Sequence, residues 1–97
     1  SVPYEWWEQG ENRYDDNWQA EGFFEVDPTD IRPGDMIMMR VQAQVTNHAA
    51  VYLGENLILH HITGQLSARV PYGKYYRDRT VRVVRHKELI NAENVDP

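Results

Sequence analysis

The chain has 97 residues, an apolar fraction of 41% and a net charge of −5. This is enough for one small domain with one core and too apolar for general disorder. The acidic balance argues against a nucleic-acid or anionic-membrane partner, since both want a basic surface. The sequence has no cysteine, which excludes a disulfide, a thiolate metal site and a thiol nucleophile within these residues.

The stretch from Ser1 to Phe24 is aromatic and acidic, and Gly10 and Gly22 punctuate it. Trp7, Tyr14 and Trp18 fall at separations that suit one helical face, which predicts a helix over about 12–21. Core packing is the plain use of these aromatics. Val26 to Asp35 reads as a turn region, with Pro33-Gly34 favouring a type II turn in which the glycine takes positive φ. Met36-Ile37-Met38-Met39 follows as a strand buried on both faces, its methionines filling gaps in the core. Ala49 to Leu53 is the next strand, Gly54-Glu55-Asn56 a tight turn, and Leu57 to His61 the returning strand. Gln65 to Val70 fits a further strand, and Gly73 to Tyr76 a helical turn. Thr80 to Arg85 alternates as the last strand, and the basic stretch from Arg77 to Lys87 reads as a solvent face. Asn91 to Pro97 reads as a frayed tail. No signal peptide and no run near the length of a membrane span is present. The whole predicts an α+β fold: a mostly antiparallel β-sheet with a short helical or irregular N-terminal segment.

The residues that can carry chemistry are His48 and His60. They flank the open end of a predicted antiparallel hairpin, where side chains of the two strands come within reach of each other. Adjacent imidazoles suit acyl transfer, one moving a proton and the other orienting it through the opposite nitrogen. On spacing alone two other readings stand. The pair can be ordinary half-buried histidines, or two ligands of a zinc site that lacks a third ligand in the pattern. His61 should face away from His60 on an alternating strand, and His86 ends the last strand as a structural or exposed residue.

Three blocks in order, Pro33-Gly34-Asp35-Met36-Ile37-Met38, His48-Ala49-Ala50-Val51-Tyr52-Leu53-Gly54 and Ile58-Leu59-His60, resemble the NlpC family of cell-wall cysteine peptidases. The match covers about 31–61. Pro3-Tyr4 to Trp7, Asn47 to Gly54, Leu59-His60-His61, Gly64 to Arg69, Tyr72 to Tyr76 and Arg85-His86 are similar to the tail-assembly proteins of lambda-like phages.

The resemblance implies a papain-like NlpC-type fold with its first helix missing, as one partial domain over 1–97. Within it, 1–30 is the aromatic N-terminal segment, 31–86 the β-sheet core and 87–97 the tail. It implies His48 as general base and His60 as the third, orienting residue, with no cofactor and no metal. The family's cysteine opens a helix that should lie before Ser1, which stands too close to Trp6-Trp7 to replace it. Ser67, Thr46 and Thr63 are not placed as substitutes either. With no initiator methionine, the chain is expected to be a fragment or truncated form, inactive alone. The implied activity of the whole protein is hydrolysis of amide bonds in peptidoglycan stem peptides, next to a D-glutamyl residue. The implied partners are peptidoglycan peptide and other phage tail proteins, and the implied place is the virion tail or the host cytoplasm during assembly. A non-catalytic structural or wall-binding module of the tail is the alternative.

Overall fold

The structure is a computed structural model that describes residues 17–44, 46–60 and 67–89. The body of the predicted N-terminal helix, His61 and the tail beyond residue 89 lie outside the described residues. Six strands form one sheet: β1 Phe23–Val26, β2 Met36–Met39, β3 His48–Gly54, β4 Leu57–His60, β5 Ala68–Pro71 and β6 Thr80–His86. Their spatial order is β1-β6-β2-β3-β4-β5, and all neighbouring pairs are antiparallel. A 3₁₀ turn, Pro28–Asp30, follows β1, and a short helix, α1 Lys74–Arg79, precedes β6. No helix among the described residues is long and apolar enough to cross a membrane.

Strand β2 is buried along its whole length because it sits between β3 and β6 with packing on both faces. Each of its side chains contributes about 1.5–3 kcal/mol of transfer free energy. Met36 and Met38 point to a cluster with Trp18, Phe23, Ala49 and Val84, and Ile37 and Met39 to one with Ala50, Ile58, Tyr72 and Val83. The period of two along a strand thus separates Ala49 from Ala50 and gives the sheet a covered core on each face.

Strand β1 is an element that the pattern of the sequence did not mark. It follows a helical turn closed by a Schellman motif. The Phe23 N–H reaches the Trp18 carbonyl, the Gly22 N–H reaches the Gln19 carbonyl, and Gly22 holds φ +95°. Trp18 and Phe23, the residues flanking this cap, pack in the same cluster. The cap turns the chain straight into a strand pairing with β6.

The turn at Arg32–Asp35 has the expected form, with Gly34 at φ +94° and the Asp35 N–H bonded to the Arg32 carbonyl. The β3–β4 turn has positive φ at both Glu55 and Asn56, the type I′ signature. The basic stretch behaves differently from a solvent face. Arg77 and Arg79 belong to α1, and Arg85 is buried beside Asp35, which is 0% exposed.

Candidate active site

His48 opens β3 and His60 closes β4. In the register Ala50 faces His60, so His48 stands two residues along β3 on the same side of the sheet. This diagonal relation is within reach of ring side chains. His48 Nε2 lies 3.1 Å from His60 Nδ1, and the two rings meet edge to face at 5.2 Å between centroids. His60 is 8% exposed and His48 is half-buried.

Burial disfavours the charged imidazolium and lowers the pKa of both histidines from the ordinary 6.5; at His48 the charge of a protonated His60 adds to the effect. Both rings are therefore neutral at pH 7. A neutral imidazole has one N–H and one bare nitrogen, so one ring donates and the other accepts in the 3.1 Å contact. His48 Nδ1 has no hydrogen-bond partner among the described residues. If His48 donates through Nε2, its Nδ1 lone pair is left as a base.

The approach to His48 is fixed by Asn47. Its side-chain amide mimics a strand partner: Oδ1 accepts the Val41 N–H at 2.7 Å and Nδ2 donates to the Val41 carbonyl at 2.8 Å. The Asn47 N–H also donates to the Met39 carbonyl at 2.9 Å. The loop between β2 and β3 is thereby closed immediately before His48.

A neighbour that sequence reasoning missed is Tyr76 on α1, whose ring lies 5.7 Å from that of His60, edge to face. Its signal is faint: it lies in a helix of only six residues, with nothing in the spacing to point it at His60. His86, expected as structural or exposed, is buried and structural. Its Nε2 bonds the Glu21 carbonyl at 3.0 Å, its Nδ1 accepts the Glu88 N–H at 3.1 Å, and its ring packs on Phe23. No third metal-binding side chain joins His48 and His60 among the described residues.

The profile of the NlpC/P60 family matches residues 3–85, a span that contains both histidines and the whole described sheet up to Arg85. The chain belongs to the NlpC/P60 family. Within it, the chain is similar to the tail tip assembly protein K of Escherichia phage N15, 46% identical over 95% of this chain and 38% of that protein. It is also similar to the tail tip assembly protein K of Escherichia phage lambda, 40% identical over 86% of this chain and 42% of that protein. The NlpC/P60 chain thus spans less than half the length of either relative. These similarities indicate a phage tail or virion location.

Proposed function

We propose that the chain is the histidine-bearing part of an NlpC/P60 cysteine peptidase within a phage tail tip assembly protein, and that the whole protein cuts peptidoglycan stem peptides. The observation that carries the reading is the 3.1 Å contact between His48 Nε2 and His60 Nδ1, which leaves His48 Nδ1 without a partner among the described residues. In this reading the sheet is the β half of a papain-like arrangement, and a cysteine-bearing helix from outside these residues stands beside His48. A helix N-terminus and a nearby imidazolium both favour the thiolate.

The steps follow from the two rings. His48 Nδ1 takes the thiol proton, and the sulfur attacks the carbonyl carbon of the scissile amide. The protonated His48 gives that proton to the leaving amine as the C–N bond breaks. A water then attacks the thioester, loses a proton to His48, and the acid is released as the thiol is restored. Throughout, His60 accepts the His48 Nε2–H and holds the ring in the useful tautomer. A neutral His48 at pH 7 is ready to act as base. Neither this chemistry nor its residues call for a cofactor or a metal.

The absence of cysteine from the chain favours a second reading, a non-catalytic module that contacts other tail proteins or wall peptide. A direct assay separates the two. Purified peptidoglycan is incubated with the 97-residue chain and with a longer protein that includes a cysteine-bearing upstream segment. The short chain should release no peptide and the long one should. In the long form His48→Ala should bring release to background, and His60→Ala should lose about a hundredfold less, because an orienting group can be removed with base and nucleophile still in place. A long form that is inert with a free thiol and an intact fold establishes the structural module. Release by the short chain unaided overturns the thiol mechanism.

A further inference from the structure

We propose that Tyr76 is a positioning residue of this site: its ring holds the His60 imidazole in the orientation that keeps the His48 proton on Nε2. The inference rests on the reading of His48 as base, and it concerns how that base is prepared. His60 sits on β4 with Ala50 opposite it on β3 and Ala68 opposite it on β5. Methyl groups on both sides cannot confine an imidazole ring. Tyr76 supplies a large packing surface there, packed against the cluster that contains Ala50 and 5.7 Å from the His60 ring at an interplanar angle of 69°. His60 is thus held between two rings, His48 at 5.2 Å and Tyr76 at 5.7 Å. Beyond the Nδ1 contact with His48, no hydrogen bond anchors its imidazole among the described residues. Rotation of that ring moves Nδ1 away from His48 Nε2 and removes the acceptor that selects the tautomer.

Tyr76 is itself held from behind. The Tyr75 ring meets it edge to face at 5.1 Å, and the Arg79 guanidinium lies 3.7 Å above the Tyr75 ring while donating to the Tyr75 carbonyl. The Thr80 hydroxyl donates to the Tyr76 carbonyl at 2.9 Å. Edge-to-face aromatic pairs are favourable without any polar contact, so the phenolic oxygen of Tyr76 is not needed for this role. A phenylalanine should serve, and an aliphatic residue should not.

The test is imidazole ¹⁵N NMR of the chain, which reads the proton position on each nitrogen and needs no cysteine. Wild type and Tyr76→Phe should hold the His48 proton on Nε2. In Tyr76→Leu the other tautomer should rise about two- to tenfold, the range an aromatic pair carries. In a cysteine-bearing longer form the same substitution should lower kcat with KM unchanged, and Tyr76→Phe should restore it. An unchanged His48 tautomer in folded Tyr76→Leu overturns the inference and leaves the peptidase reading intact. A shifted tautomer in a long form that proves inert leaves the positioning role and removes the peptidase reading. Independently of any variant, wild-type spectra should contain cross-relaxation between Tyr76 and His60 ring protons, and its absence also overturns the inference.

Discussion

Asp35 is fully buried, and its carboxylate is shared between a long-range ion pair and a local turn contact. Oδ1 accepts from Arg85 Nε at 2.8 Å, and Oδ2 accepts from the second guanidinium nitrogen of Arg85 and from the Arg32 N–H, both at 2.9 Å. Arg85 also donates to the Asp30 carbonyl at 3.0 Å. The Pro33-Gly34-Asp35 turn is thereby bolted to the last strand, and β2 starts in register from that point. Arg85→Met leaves the buried Asp35 carboxylate without this counter-charge, and Asp35→Leu leaves Arg85 to its Asp30 contacts, so each should cost about 3–5 kcal/mol. A domain of this size has about 5–15 kcal/mol in hand. Asp35→Leu combined with Arg85→Met should lose less than the two single losses added together, because neither charge remains, and the unsatisfied Arg32 N–H accounts for about 1–3 kcal/mol of what is lost. Urea unfolding of the three variants measures this, and a double variant whose loss equals that sum contradicts the pair as the source. Alternation predicts a solvent-facing Arg85, because nothing local identifies a partner fifty residues away in sequence.

The hairpin β3–β4 and helix α1 act together on the dyad. Asn56 ties them: its carbonyl accepts the Tyr72 N–H at 2.8 Å, and its side-chain oxygen accepts from Arg77, whose guanidinium also covers the Tyr72 ring at 4.3 Å and bonds the Tyr72 carbonyl. From there α1 carries Tyr76 over His60. Glu55 holds φ 53°, a left-handed conformation that asparagine adopts more readily, so Glu55→Asn should raise stability by about 0.5–1 kcal/mol. Asn56→Gly, although favoured by turn statistics, should lower it by about 1 kcal/mol, since it gives up the Arg77 bond and loosens the unfolded chain. Thermal melts decide this, at about 4–8 °C per kcal/mol for a domain of this size. A stabilising Asn56→Gly means that the Arg77 contact carries no weight. The elements of this half were legible where local chemistry dictates them. Pro33-Gly34 fixed one turn, Gly54-Glu55-Asn56 the other, the methionine run gave β2, and alternation gave β6. The closeness of His48 and His60 was legible because a short hairpin fixes its own register. β1 was not, because its four residues follow a helix cap and alternate too briefly to be read. Asn47 and Tyr76 were missed because their roles depend on contacts that no period encodes.

The whole molecule stores its pH dependence in the same dyad. Both histidines have pKa values lowered from 6.5, mainly by burial, so below that pH the unfolded chain binds protons that the native chain refuses. Stability therefore rises with pH wherever this difference exists. The contribution is fully present above pH 6.5 and is lost as the pH falls through the native values. Asp27 titrates with the same sign in a separate window, its carboxyl held below 3.8 by the Thr29 hydroxyl and N–H. Between these windows the histidine effect stands alone among the shifted groups of the described residues, with a limiting slope of about 1.4 kcal/mol per pH unit for each proton taken up only on unfolding. Replacing both rings with non-titrating groups of related shape, His48→Asn with His60→Asn, should flatten the curve of unfolding free energy against pH from 6.5 down to the onset of carboxylate titration. Single replacements separate the two rings. His60→Asn should raise the apparent pKa of His48, because it removes the neighbouring charge that helps to depress it. Urea titrations at a series of pH values measure the slopes, and NMR titration of the remaining ring follows its pKa. A double variant that keeps the wild-type slope across this window places the linkage elsewhere and rejects a neutral, buried dyad.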